Sequence, residues 1–289
     1  MTIGDFFVAK TEEVDPFFHE VALMKQLILE RTHPLELLRE LLSNSGAREV
    51  GARNIHITYY VHPEYGHVFE VRDDGCGMNF TNDPRLPGRL DRFLGLGLSA
   101  IAGLKADEFA WKGLGSKLAY HSRRVEIETY NGKKAYSVIV NEPWKTIEDG
   151  KKPRPSVSEI SPTPGQPTGT VIRVFGHPPH RQESFTFEQI RDYLTHRTFV
   201  GFTREREAPP RITLTVHTRT EEIPFGFPEF KNLPEEAPEG TVIVEPFVVT
   251  RNLPGTNRNV QVLLKGFYTW DEHRFGSVSY THLTLPTKA

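Results

Sequence analysis

Three features predict a chain of mixed α and β class: two early segments with apolar residues at helical spacing, alternating runs that pair as hairpins, and glycine-rich turns between them. At 289 residues the chain is long enough for one large domain or two of ordinary size. With 37% hydrophobic and 25% charged residues it can pack a core, so a globular chain is expected rather than a disordered one. The 35 basic residues nearly balance the 37 acidic ones, so no overall charge points to nucleic acid. The single cysteine, Cys76, excludes an internal disulfide and a zinc cluster. No apolar run approaches the roughly 20 residues of a bilayer-spanning helix, and the N-terminus lacks the basic-then-apolar order of a signal peptide. A cytoplasmic, non-membrane protein is therefore expected.

In chain order, residues 1–15 are mixed, with Phe6, Phe7 and Val8 read as a short edge strand or an N-terminal arm. Over 16–30, Phe17, Val21, Leu23, Met24, Leu27 and Ile28 recur at helical spacing. Thr32 suits the N-cap of a second helix with Pro34 in its first turn; this helix carries Leu35, Leu37, Leu38, Leu41 and Leu42 and ends near Gly46. Glu40 and Asn44, four apart, share one face of it, and taken alone they read as a surface pair. Residues 54–61 alternate, 62–66 form a turn, and 67–72 return as the partner strand ending on Asp73.

The stretch Asp73-Asp74-Gly75-Cys76-Gly77-Met78 then places carboxylates and glycines directly after that strand. Such a turn suits a ligand. Asp73 can accept a hydrogen bond from an amino group, and Gly75 and Gly77 let the backbone come close to it. By itself D-x-G-x-G also fits a β-turn with solvated acids. Residues 79–88, rich in Asn, Asp, Pro and Gly, read as loop. Within 90–104, Gly95-Leu96-Gly97-Leu98-Ser99-Ala100 matches a dinucleotide fingerprint in letters only, because no strand precedes it and no βαβ pattern surrounds it. A glycine-rich, mobile helix or lid is expected there instead.

Gly113-Leu114-Gly115-Ser116-Lys117 can present backbone N–H groups to an anion at a helix N-terminus, or simply begin a helix. No Walker A loop occurs anywhere in the chain. Residues 124–130 and 135–140 pair around Asn131-Gly132, 151–167 form an exposed loop, 168–174 a strand and 185–199 a helix. A domain boundary is placed at the charged stretch 204–210, with strands following at 211–217, 241–250 and 259–268. Residues 1–205 and 211–276 are thus read as two units. The last residues, 277–289 (SVSYTHLTLPTKA), continue no pattern and resemble a translated sequencing-adapter tail, so a non-native end on a truncated second domain is expected.

Taken in order, the helix with Glu40 and Asn44, the D-x-G-x-G strand end, the GLGSK segment and Thr168-Gly169-Thr170 resemble the four motifs of the GHKL ATPases, over residues 35–174. That superfamily includes gyrase-type topoisomerases, ninety-kilodalton heat-shock chaperones, sensor histidine kinases and mismatch-repair ATPases. The resemblance implies the Bergerat fold: an α/β (α+β) two-layer sandwich of mixed, mostly antiparallel sheet with helices on one face, and ATP between helices and sheet. It implies Glu40 as general base, Asn44 as the Mg²⁺ ligand, and Asp73 rather than Asp74 as acceptor of the adenine amino proton. Gly75 belongs to the same turn, Gly77 and Met78 would lie against the base, and Thr170 would support Asp73 through a hydroxyl or water contact. Gly113, Gly115, Ser116 and Lys117 would meet the phosphates. The family pattern commonly continues with an Asp-Ala pair three residues after the Asn. Here Ser45-Gly46-Ala47-Arg48-Glu49 follows, and Glu49 is the acid available to stand in.

His177 and His180 lie in a Pro-rich turn without further ligands, which argues against a metal there. Cys76, between two glycines, reads as a packing position rather than a redox nucleophile. Residues 1–33 lack the paired-helix length of a phosphoacceptor hairpin, which ranks a histidine kinase low. Two functions stay open: an ATP hydrolase driving conformational change in attached domains, chaperone-like or DNA-acting, and a nucleotide-gated module that binds ATP and dimerises with little turnover. In the first, residues after 211 would be a transducer-like or middle domain, with Lys265 the candidate lysine for the γ-phosphate. The near-neutral charge does not favour DNA over protein clients.

Overall fold

The structure, a computed structural model, describes residues 19–30, 33–95, 115–201, 209–225, 242–252 and 259–268. The expected Thr32 cap and Gly113 lie outside the described residues. So do the tail 277–289 and most of the Gly95-to-Ala100 stretch.

Helix α1 spans Glu20–Leu29 and α2 spans Glu36–Ser45. In α2, Leu37, Leu38, Leu41 and Leu42 are fully buried, the apolar stripe expected from their spacing. Gly46 ends the helix where the sequence suggested. Strands β1 (Asn54–His62) and β2 (Gly66–Asp73) form the first hairpin, and β3 (Arg124–Tyr130) and β4 (Ala135–Asn141) the second. The second turns on Asn131, whose side chain accepts from the N–H groups of Lys133 (3.0 Å) and Lys134 (2.9 Å), and on Gly132 at φ +84°. Helix α3 spans Arg89–Leu94, α4 Pro143–Glu148 and α5 Phe187–Arg197, the last opened by a capping box between Thr186 and Gln189.

Strands β5 (Ser156–Ile160), β6 (Gly169–Phe175), β7 (Arg211–Val216) and β8 (Arg219–Ile223) complete one eight-stranded sheet in the order β5-β4-β3-β6-β2-β1-β7-β8. Every neighbouring pair is antiparallel except β1 and β7. Alternate side chains on one face are buried: Ile55, Ile57 and Tyr59 on β1, Val125 and Ile127 on β3, Ile212 and Leu214 on β7. On the other face His56, Thr58, Tyr60, Glu70, Arg72, Glu126 and Arg173 are exposed or half-buried. One covered face and one open face give the mixed, mostly antiparallel two-layer sandwich that the resemblance implied. A separate antiparallel pair joins β9 (Val242–Asn252) to β10 (Asn259–Tyr268).

The sheet does not stop at the charged stretch 204–210. Strand β7 pairs residue for residue with β1, from Asn54 opposite Arg211 to Tyr59 opposite Val216. Its Ile212, Leu214 and Val216 point into the same core as Ile55 and Ile57, so residues 211–223 belong to the first sheet by packing and by hydrogen bonding. Within 151–167, taken as loop, β5 forms an edge strand on β4. No helix among the described residues is long and apolar enough to cross a membrane.

Candidate functional site

The site begins with strand register. Asp73, the last residue of β2, lies opposite Thr170 of β6, and Thr170 lies opposite Thr129 of β3. Three polar residues therefore sit side by side on the covered face, where the neighbouring positions are apolar. Asp73 is 7% exposed, Thr170 6% and Thr129 4%. Buried polar groups need partners, and each has them. Ser45, the last residue of α2, donates its hydroxyl to Asp73 Oδ2 at 2.9 Å, and the Gly75 N–H donates to Oδ1 at 3.0 Å. The Thr129 hydroxyl accepts from the Met78 N–H (2.8 Å), lies 3.0 Å from the Thr170 hydroxyl and donates to the Gly169 carbonyl (3.2 Å). One O–H and two lone pairs allow all three if Thr170 is the donor within the pair.

Burial pushes the Asp73 carboxyl above its usual range. The Ser45 hydroxyl and the Gly75 N–H pull it back, the neighbouring Asp74 charge adds to the rise, and the Thr170 N–H opposes it. Asp74 belongs to a different environment. Its Oδ1 accepts from the N–H groups of Arg53 (2.7 Å) and Asn54 (2.8 Å), and its Oδ2 from the Asn54 amide (2.7 Å). Partial burial pushes its carboxyl up, but the Asn54 and Arg53 donors outweigh this and hold it below the ordinary value. Asp74 thus anchors the start of β1, while Asp73 faces Ser45 at the end of α2.

The glycines of the turn are fixed by contact. Gly77 has φ +68°, and a Cβ there would strike the Tyr130 carbonyl and come within 3.0 Å of the Asn131 nitrogen. A Cβ on Gly75 would meet the Val50 side chain and lie 2.8 Å from its carbonyl. These close approaches set the turn directly on the second hairpin and on the segment following α2.

Glu40 and Asn44 lie one turn apart on α2 and are both half-buried. Arg39 Nη2 holds Glu40 Oε1 at 3.0 Å. Neither Glu40 Oε2 nor the Asn44 amide is hydrogen-bonded to a described residue. Gly115 packs directly on the Glu40 carboxylate: a Cβ at this glycine would overlap Oε2 and Cδ and lie 2.7 Å from Cγ. The first and third motifs, seventy-odd residues apart, therefore meet at one carboxylate.

The remaining expected residues are placed differently. Gly115–Tyr120 forms a 3-10 turn with Ser116, Lys117 and Tyr120 buried, rather than the open N-terminus of an α-helix. The Lys117 ammonium, 2% exposed, points into the end of α3. The Thr170 hydroxyl engages Thr129 rather than the Asp73 carboxylate. Glu49, the acid available to stand in after Asn44, turns to Arg89, 3.9 Å away. Arg89 also donates to the Glu49 carbonyl at 3.0 Å and to the Cys76 sulfur. His177 is buried, with Nδ1 2.8 Å from the His121 carbonyl and Nε2 3.0 Å from the Pro34 carbonyl. It ties the ends of the 3-10 turn and β6 to the start of α2. No group of three or more His, Cys, Asp or Glu residues among the described residues could hold a metal ion.

Two site residues, Ser45 and Thr129, were missed in the sequence. Ser45 carried a usable signal, since it is a short hydroxyl at the helix end beside the Asn of the first motif. Thr129 becomes visible once the second hairpin is placed beside the Thr168-Gly169-Thr170 strand.

No family model matches the sequence, and no curated protein matches it. Among solved structures, the chain is similar to the topoisomerase IV ATP-binding domain of Francisella tularensis, in complex with a small-molecule inhibitor. The TM-score is 0.49 at 18% identity, covering 84% of this chain and 63% of that one. It is also similar to the 43K ATPase domain of Thermus thermophilus gyrase B, in complex with an aminocoumarin, with a TM-score of 0.49 at 15% identity, covering 86% and 64%. The chain spans less than two thirds of either. What the site does is read from its own residues.

Proposed function

We propose that this chain is a GHKL-type ATP-binding unit that hydrolyses ATP with Mg²⁺ and couples turnover to conformational change or dimerisation of attached domains. The observation that carries the reading is the convergence at α2. It presents Ser45 to Asp73 and Glu40 to Gly115, bringing two distant motifs to the short helix that carries the first.

Asp73 is the adenine-recognising group. Ser45 and Gly75 each occupy one lone-pair direction on its two oxygens, which leaves acceptor capacity for an exocyclic amino group. A buried carboxylate with a fixed orientation is costly to fold and useful only against a donor, which favours recognition over a solvated turn. Gly77, Met78 and the Thr129–Thr170 pair form the floor beside it. Glu40 is the general base: its Oε2 is left to accept a proton from an attacking water while Arg39 orients Oε1.

Asn44 fits Mg²⁺, because its amide oxygen is a hard donor without a described hydrogen-bond partner. Mg²⁺ typically takes one or two protein oxygens together with substrate phosphates. The bound ion would neutralise charge on the phosphates. The backbone around Gly115 is the part of the third motif nearest the base and the part we assign to the phosphate side. Gly113 keeps that assignment from the motif alone. The β9–β10 hairpin, with Lys265 on β10, is read as the beginning of a following transducer-like unit.

Phosphate release from ATP, measured for wild type and Glu40→Ala, tests the reading. Turnover that falls by about 10²-fold or more in Glu40→Ala, with ATP still bound, is the expected result. ATP binding without turnover in either protein would leave a nucleotide-gated module and remove the hydrolase.

A further inference from the structure

The 3-10 turn Gly115–Tyr120 meets the last turn of α3 through three side chains. Ser116 donates to the Phe93 carbonyl at 3.0 Å, and Tyr120 donates to the Leu94 carbonyl at 2.9 Å. Lys117 Nζ reaches the Arg92 carbonyl at 3.1 Å, the Phe93 carbonyl at 2.5 Å and the Ser116 hydroxyl at 2.8 Å. The last carbonyls of a helix have no partner within it and carry partial negative charge. Three consecutive ones are satisfied here by one short turn.

Burial pushes the Lys117 amine down to about 7, and against this the cradle of three oxygens favours the ammonium. A protonated lysine has three N–H donors and no acceptor, and Nζ faces three oxygens. A neutral amine would turn its lone pair against one of them. Helix end and hydroxyl thus act together as the counter-group for a charge that no carboxylate among the described residues pairs. The position is fixed at both ends, because Gly115, two residues before Lys117, packs on the Glu40 carboxylate.

We infer that Lys117 is a positioning residue, clamping the 3-10 turn to the C-terminal end of α3 so that Gly115 stays seated on Glu40, and that it does not bind phosphate. The inference rests on the reading of Glu40 as the base. Its energetic consequence falls on the geometry of the reacting group, not on nucleotide affinity.

Three measurements test it. Lys117→Met removes the donors, and Lys117→Arg keeps the charge but replaces a compact ammonium with a planar fork that the three oxygens do not fit. Both variants lower kcat by about tenfold while the ATP and ADP dissociation constants stay within about threefold of wild type. A phosphate ligand would behave in the opposite way. ATP would weaken far more than ADP in Lys117→Met, Lys117→Arg would retain activity, and the clamp would be overturned. The third measurement needs no variant. In the nucleotide-free wild type, the Lys117 Nζ–H signals of ¹⁵N-lysine-labelled protein are protected from solvent exchange and keep their position when ATP and Mg²⁺ are added. An unprotected ammonium, or one that shifts on nucleotide addition, refutes the clamp. If the wild type binds no ATP, the ATP-site reading fails, while the nucleotide-free signal still decides whether the clamp exists.

Discussion

Gly115→Ala is the most demanding test of the contact between the glycine-rich segment and α2. A Cβ at residue 115 would lie 2.7 Å from Glu40 Cγ and closer still to its carboxylate. Restoring an ordinary carbon–carbon separation moves Cγ by at least about 0.7 Å, and the carboxylate by more. Among the described residues Glu40 is held by Arg39, through a half-buried pair at 3.0 Å. Breaking a pair of that kind costs about 0.2–1 kcal/mol, so the variant folds with a melting temperature lowered by a few degrees at most. Turnover is far more sensitive. A misplacement of about 1 Å at a reacting group can cost on the order of 10²-fold. Phosphate release under saturating ATP should therefore fall about 30- to 100-fold in Gly115→Ala. A variant that keeps wild-type turnover would show that Glu40 does no chemistry at this contact.

Two further variants address the adenine side. Ser45→Ala removes a hydrogen bond that pulls the Asp73 carboxyl down against burial, so its pKa rises further. A protonated Asp73 is neutral, a weaker acceptor, and turns one oxygen into a donor, so ATP affinity falls as pH falls through the Asp73 pKa. In Ser45→Ala this loss begins at a higher pH, as read by nucleotide titration across the acidic range, and an unchanged profile would count against Asp73 as the acceptor. Thr129→Val keeps the shape but strips the acceptor from the Met78 N–H and the partner from the Thr170 hydroxyl. Leaving these unpaired should cost about 1–3 kcal/mol in chemical denaturation and weaken ATP binding as well. A loss of stability with affinity intact would make Thr129 a core residue only.

The periodic parts of this fold were legible in the sequence. The leucines of α2 and the alternation of β1–β2 and β3–β4 report a buried face directly, and Asn131-Gly132 names its own turn. Short elements were not. Helix α4 is six residues opened by Pro143, and β5 is five residues among prolines and serines, so neither offers enough periods to register. The charged stretch 204–210 suggested a boundary, yet Ile212, Leu214 and Val216 repeat the alternation of β1 and join its sheet. Parallel pairing between strands as far apart in sequence as Asn54–His62 and Arg211–Val216 leaves no local trace.

Within the candidate site, the motif residues Glu40, Asn44, Asp73, Gly75 and Gly77 could be named because their spacing is local. The meeting of Gly115 with Glu40 could not, since it depends on how the 3-10 turn seats on α2. Lys117 shows the limit of reading charge from letters. A lysine after glycines suggests an anion, but Leu118, Ala119 and Tyr120 following it are all buried and draw the ammonium inward to helix carbonyls. Ser45 and Thr129 were hidden for a different reason. A hydroxyl supporting a carboxylate has no motif of its own, only a position in the register.

The central claim is that Asp73 reads the nucleotide. Calorimetric titration of wild type and Asp73→Asn with ATP in the presence of Mg²⁺ tests it most directly. The amide replaces one acceptor oxygen with a donor facing the adenine amino group; its remaining oxygen can keep the Gly75 N–H, and the Ser45 hydroxyl, which can also accept, can turn toward the new NH2. Wild type should bind ATP, and Asp73→Asn should lose at least about 10²-fold in affinity with its fold intact by circular dichroism. Equal ATP affinity in the two proteins would contradict the assignment of the whole site.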